Sequence, residues 1–308
     1  MKDFQISRRS FMLTGLAGAL LPSYAAGFGK FDSEETKDFD ALRANLLQLV
    51  NEERDVEKVK PVELDDFANK VATAHAQEMA KHEFVSHWDR SGLKPYQRYS
   101  FAGGFHASQE NISAADNTWS TKFEDLKQDT SYLHVRLYSE KPPNDGHRRA
   151  ILAPQHTHVG IGIALEKLRL RVVEIFVSKY VELKPVARSA KPKSVVSLTG
   201  RLLKSAYSLS TIEVFYEELP RTRELDWLRV PRSYALPDES KLLRPILPQP
   251  YQYADKIPGV ISFGANGEFE APVTLFMDEP GIYTIVCWVK RSPNEKAFPA
   301  TELCIRAE

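Results

Sequence analysis

The sequence predicts an α+β chain in two parts, a layered helix-and-sheet domain followed by an all-β sandwich. From about Asp38 to Leu165 the apolar residues recur with a helical period and Ala is frequent. Beyond Val195 alternation and turn residues take over. Between the two, Leu183–Lys193 has the Pro, Lys and Ala composition of an exposed, semi-stiff linker. The expected organisation is an N-terminal export segment over 1–26, a first domain over 38–182, a linker over 183–193 and a β-domain over 194–308.

At 308 residues, 43% hydrophobic and 27% charged, the chain is long enough for two cores. Its 41 basic residues balance 41 acidic ones, so no global field draws it to nucleic acid or anionic lipid, and a nucleic-acid partner is not expected. The N-terminus reads as an address. Lys2, Arg8 and Arg9 precede an apolar run from Phe11 to Leu21, and Pro22-Ser23-Tyr24-Ala25-Ala26 supplies small residues for cleavage. Eleven apolar residues are too few to span a bilayer, which takes about 20, so no integral membrane segment is expected after cleavage. Ser7-Arg8-Arg9-Ser10-Phe11-Met12 resembles the twin-arginine signal of bacterial export, with an ordinary secretory signal as the alternative. Both place the mature protein outside the cytoplasm, in the periplasm or beyond.

In the first domain, Phe39, Leu42, Leu46 and Leu49 share one helix face, and Lys60-Pro61 breaks the helix that carries them. Leu64-Asp65-Asp66 then offers an N-cap, opening a second helix through Ala68, Val71, Ala72, Ala76 and Met79, whose small residues allow close packing. Val159–Leu165 and Leu170–Val177 read as two strands joined by a short charged turn. Gly160 and Gly162 lie inside a strand without a third glycine or a following helix, which excludes a dinucleotide loop. Helices on a small sheet, an α+β or α-β-α arrangement, follow.

The second domain offers candidate strands over 194–202, 211–216, 267–276, 281–289 and 301–305. Asp278-Glu279-Pro280-Gly281-Ile282-Tyr283 resembles the corner of an immunoglobulin-like sandwich in which a tyrosine ties back to the backbone. Residues 219–259 hold seven of the nineteen prolines and suit a long extended crossover with no expected chemistry. The only two cysteines, Cys287 and Cys304, allow one bridge in an oxidising compartment. Against it, alternation puts Cys304 on the strand face opposite Leu303 and Ile305. Neither has the surroundings of a nucleophile.

Four stretches carry the chemistry: Ser86-His87-Trp88, Gln109-Glu110-Asn111-Ile112, Tyr138-Ser139-Glu140-Lys141 and Gly146-His147-Arg148. Two imidazoles and two carboxylates can ligate a divalent cation or act as acid and base in a cleft. His82 and His87 are five apart, which turns the second roughly 140° from the first and excludes a zincin helix. His156-Thr157-His158 reads as a polar lead-in to a strand, and His75 as an interior histidine of an Ala-rich helix.

These stretches, in their order, resemble the CAP superfamily of cysteine-rich secretory proteins, antigen 5 and pathogenesis-related proteins. The resemblance runs from about Leu46 to Val177. It begins with Asn51-Glu52-Glu53-Arg54, similar to that family's opening helix ending in Asn-x-x-Arg, and continues through Pro61-Val62-Glu63-Leu64 and Ser86-His87. Glu110-Asn111-Ile112, then Gly146–Leu152, then Val159-Gly160-Ile161-Gly162 complete it. The resemblance implies a CAP-type α-β-α sandwich whose cleft is lined by two histidines and two glutamates. Carried over, His87 and His147 take the imidazole positions and Glu110 one carboxylate; Glu140 takes the other, with Glu124 as the alternative. The resemblance further implies a site for one divalent cation, or for a small molecule, lipid or cell-envelope component; the imidazole nitrogens favour zinc, and the carboxylates also admit calcium or magnesium. No specific reaction and no catalytic residue follows from it. A hydrolase of envelope peptide or polysaccharide, and an adhesion module working through the β-domain, are the other readings.

Overall fold

The computed structural model describes residues 33–308 apart from Trp119, so the expected export segment lies outside the described residues. The first half runs α1 (Ser33–Val56), β1 (Glu63–Leu64), α2 (Asp66–His82), α3 (Pro95–Phe101), β2 (Ala107–Ala115), α4 (Phe123–Tyr138), α5 (Gly146–Leu152), β3 (His158–Glu166) and β4 (Arg169–Ser178). Its sheet has the order β1-β3-β4-β2, with β1 parallel to β3 and the other pairs antiparallel, which leaves β2 at an edge.

The alternation along β3 and β4 builds three layers. Val159, Ile161 and Ile163 of β3, with Val172 and Phe176 of β4, pack on Leu42, Leu46 and Val50 of α1 and on Leu133 and Leu137 of α4. On the other face, Val173, Ile175 and Val177 meet Ala68, Ala72, Ala76 and Met79 of α2. Gly160 and Gly162 point to that second face, where a Cβ on either would collide with the backbone of α2 at Ala68 or Ala72. Close helix–sheet packing is therefore what these glycines serve. Asp65 caps α2, its carboxylate accepting the Ala68 N–H at 2.6 Å.

The opening-helix motif has a physical reading as well. Asn51 exchanges two hydrogen bonds with the backbone of Val62, at 2.9 and 2.8 Å. The fully buried Arg54 donates to the carbonyls of Lys60, Ile151, Ala153 and His156. One guanidinium thus satisfies the end of α5 and the turn before β3.

The second half contains β5 (Val181–Leu183), β6 (Ser189–Ala190), β7 (Val195–Leu202), β8 (Ser208–Glu218), α6 (Leu225–Leu228), β9 (Ser240–Leu243), β10 (Ser262–Phe263), β11 (Glu268–Thr274), β12 (Gly281–Lys290), β13 (Phe298–Pro299) and β14 (Leu303–Ala307). One sheet has the order β10-β11-β7-β5 and the other β6-β14-β12-β8-β9, with β13 also on β12. Leu198, Phe269 and Val273 from the first sheet and Ile212, Tyr283, Ile285 and Ile305 from the second share one core. The Tyr283 hydroxyl accepts the Met277 N–H at 2.6 Å, the tie-back expected at that corner. The segment expected as an exposed linker is built in: Leu183 ends β5, which pairs with β7, and Ser189–Ala190 pairs with β14.

Cys287 and Cys304 are both free and buried. They lie on opposite faces of their sheet, Cys287 in the sandwich core and Cys304 against Leu93 and Tyr96 of the first half, which rules out a bridge between them. The face of the strand that carries Cys304 is thus an interface. There Tyr96 donates to Glu217 at 2.8 Å, the Cys304 N–H donates to the Ser100 hydroxyl at 2.7 Å, and Trp88 meets Trp227 edge-on at 5.5 Å.

Candidate functional site

His87 sits in the loop after α2. His75 fixes that loop by hydrogen bonding to the Ser86 carbonyl at 2.8 Å, and Arg98 donates to the carbonyl of His87 itself. From β2, Glu110 presents one carboxylate oxygen to His87 Nδ1 at 2.9 Å and the other to Arg98 Nη2 at 2.5 Å. Burial alone would raise the Glu110 pKa, but the Arg98 guanidinium and the His87 hydrogen bond prevail and take it down to about 2. Glu110 is therefore an ionised acceptor at neutral pH, and the proton of that bond belongs to His87 Nδ1.

His147 lies in the first turn of α5. Glu140, just past the end of α4, holds it twice, Oε1 pairing with Nδ1 at 2.6 Å and Oε2 accepting the backbone N–H at 3.0 Å. Glu124, the alternative carboxylate, is exposed in the first turn of α4, sixteen residues earlier and one helix length from the cleft. Asn111 donates to the His147 carbonyl at 3.2 Å. The two imidazoles face one another with centroids 6.4 Å apart and planes 28° apart. All four predicted residues line a cavity of about 870 Å³, and among the described residues neither Nε2 has a protein partner.

The expected divalent cation does not find a completed donor set. Each carboxylate is already the partner of an imidazole Nδ1, an orienting role, and two Nε2 atoms fall short of the three protein ligands of an open zinc site. Among the described residues no group of three or more His, Cys, Asp or Glu side chains can hold a metal ion.

Two features escaped the reading of the sequence. The Pro-rich crossover, expected to carry no chemistry, supplies one wall of the cavity between Arg229 and Leu236. Its Tyr234 packs edge-on against His87 at 4.8 Å, and its hydroxyl accepts the Glu110 N–H at 2.8 Å. Behind the cleft, His134 lies between two glutamates, Nδ1 at 2.5 Å from Glu174 and Nε2 at 2.9 Å from Glu53. Desolvation opposes its charge, yet the two carboxylates raise its pKa to about 10, so it is an imidazolium. Asn111 joins this buried set to the cleft by donating to Glu174 at 3.3 Å as well as to His147. A signal was present: Glu174 interrupts an apolar strand, and a charge buried there requires a partner.

Residues 47–180 match the family described as "CAP: Cysteine-rich secretory protein family". Over this stretch, which is under half of the chain, the protein is similar to that family. Over 123 residues the chain is 27% identical to the uncharacterized protein YkwD of Bacillus subtilis (strain 168), covering 40% of this chain and 42% of that protein. Over 186 residues it is 20% identical to cilia- and flagella-associated protein 184 of Tetrahymena thermophila, covering 60% of this chain and 22% of that protein. It therefore spans less than half the length of either of these curated relatives. Two solved structures similar to this chain come from extracellular or surface proteins. One is an extracellular protein containing a SCP domain from Bacillus anthracis str. Ames, with TM-score 0.36, 20% identity and coverage of 49% of this chain and 45% of that one. The other is an outer surface protein from Borrelia burgdorferi, with TM-score 0.35, 18% identity and coverage of 48% and 96%.

Proposed function

We propose that this is an exported CAP-domain protein that binds a small ligand in the His/Glu cleft, in the cell envelope or outside the cell. The observation that carries the reading is the pair of imidazoles, each fixed at Nδ1 by a glutamate and each left with an unpartnered Nε2 in a cavity of about 870 Å³. Fixed, unsatisfied polar atoms in a roomy concave site favour a ligand that satisfies them. Export rests on the basic and apolar pattern of Lys2, Arg8, Arg9 and Phe11–Leu21. No described helix is long and apolar enough to cross a membrane.

Thermal-shift screening of small molecules and divalent cations against the native protein and His147→Ala tests the reading. Compounds that stabilise the native protein lose their effect in the variant; stabilisation of both to the same extent overturns it. The same geometry favours one second reading. An imidazole whose Nδ1–H is held by a carboxylate presents a basic Nε2, the arrangement of a general base, which suits hydrolysis of an envelope polymer. Release of soluble fragments from envelope polysaccharide or peptide, absent with His87→Ala, is its expected signature.

A further inference from the structure

The cavity extends past the imidazoles. Beyond them its lining includes Glu302, brought from just before β14 to the edge of β2. Glu302 is only 7% exposed, and one of its oxygens, Oε2, accepts both the N–H and the hydroxyl of Ser108, at 2.9 and 3.3 Å. Among the described residues its other oxygen has no hydrogen-bond partner and the carboxyl has no cation beside it. Burial raises its pKa to about 8, against the smaller opposing effect of the Ser108 bonds, so the group is an uncharged acid at neutral pH with a proton to donate.

Across the strand, His156 bonds to Gln109 Oε1 through Nε2 at 2.9 Å and to the Ser178 hydroxyl through Nδ1 at 3.1 Å. Burial first, then the nearby Arg54 charge, lowers the His156 pKa to about 3, which leaves the ring neutral. With the Gln109 oxygen occupied, its amide N–H₂ is free to donate. Ser108 and Glu110 are two residues apart on one face of β2, and Gln109 and Asn111 two apart on the other. The cavity therefore has two polar ends about 7 Å apart along an edge strand.

The walls select a ligand class. Among the described residues of the lining, no free arginine faces an anionic ligand: Arg229 is held by Asp226 at 3.0 Å, and Arg232 by the Trp227 and Val230 carbonyls while stacked on the Trp227 ring. An acyl chain would strip water from Asn144, Gln155 and Gln109, side chains on the lining whose amides have donors to spare, with no return for the loss. A hydroxyl both donates and accepts, and so does an amide.

From this the geometry points to a saccharide site with two subsites, in which Glu302 and Gln109 receive a second ring of an uncharged oligosaccharide whose first ring lies on His87 and His147. This inference rests on the ligand-binding reading of the cleft above. Calorimetric titration of the exported full-length chain with N-acetylchitotriose and with N-acetylglucosamine tests it. The trisaccharide binds at least about tenfold more tightly than the single sugar. Glu302→Ala and Gln109→Ala each remove that advantage and leave the single-sugar affinity unchanged, whereas Glu302→Gln, which keeps an acceptor for Ser108 and a donor for the ligand, retains it. Trisaccharide affinity unchanged in Glu302→Ala, or no binding of either sugar, overturns the inference. If the sugars fail and sodium palmitate or zinc binds in a manner abolished by His147→Ala, the cleft reading stands and only the saccharide assignment falls. If His147→Ala leaves binding intact for every probe, the cleft reading falls too.

Discussion

His134 and His147 are both held by glutamates within one domain, and burial sets them apart. His134 is fully enclosed and spends both ring nitrogens on carboxylates, Glu174 and Glu53. The His147 side chain is 33% exposed and spends only Nδ1, on a Glu140 that is itself partly exposed. The same two residue types thus make a saturated buried ion cluster in one place and an unsaturated site in the other. The buried cluster stands behind the open one, with Asn111 bonded to both Glu174 and the His147 backbone, so the comparison also separates what holds the cleft from what faces its ligand.

The largest effect falls on the buried member. His134→Ala leaves Glu53 and Glu174 without their shared cation and costs about 3–5 kcal/mol in urea unfolding at neutral pH. The pH dependence has a definite sign. A histidine whose folded pKa is raised to about 10 contributes stability that is complete below its unfolded value near 6.5 and is lost as pH rises toward 10. The native protein therefore loses stability across that window, and His134→Ala flattens the loss. An unchanged alkaline slope in the variant would show that His134 is not the imidazolium.

Next comes Arg98, which neutralises the one cleft carboxylate that is fully buried. Arg98→Ala costs about 2–3 kcal/mol at pH 7. Glu110, depressed to about 2, contributes stability present above its ordinary value of 4.5 and lost as pH falls toward 2. Without Arg98 that loss begins at higher pH, which acid titration followed by circular dichroism measures.

How far the sequence reveals this division follows from the range of each interaction. The layers are legible because Val159-Gly160-Ile161-Gly162-Ile163-Ala164 alternates large and small residues, and each set meets a different helix layer. His87, Glu110, Glu140 and His147 are legible because local motifs fix each one beside a helix end or within a strand. Tyr234 and Glu302 are not: they reach β2 across 124 and 194 residues, and nothing in a Pro-rich crossover or a short strand indicates which surface it will cover. The supposed linker misled for the same reason, since its pairing with β7 and β14 depends on strands distant in sequence.

Glu302 carries an effect of opposite sign to that of Glu110. Its folded pKa is raised to about 8 from 4.5, so the folded state holds a proton that the unfolded chain has released, and stability falls as pH rises between those values. Glu302→Gln removes that ionisation while keeping an acceptor for Ser108. At pH 8 it is more stable than the native protein, and the gain disappears near pH 4.

The smallest change in stability belongs to the open member of the comparison. Because His147 and Glu140 are partly exposed, their bond is screened by solvent, and His147→Ala alters the unfolding free energy by less than about 1 kcal/mol. Its consequence lies in binding, since it removes an Nε2 that no described protein group uses. Urea unfolding and ligand titration on the same preparation separate the two roles: His134→Ala lowers stability most, and His147→Ala lowers affinity with stability nearly intact. A His147→Ala variant as unstable as His134→Ala would mean that the cleft histidine is structural too, and the distinction between a sealed cluster and an open one would collapse.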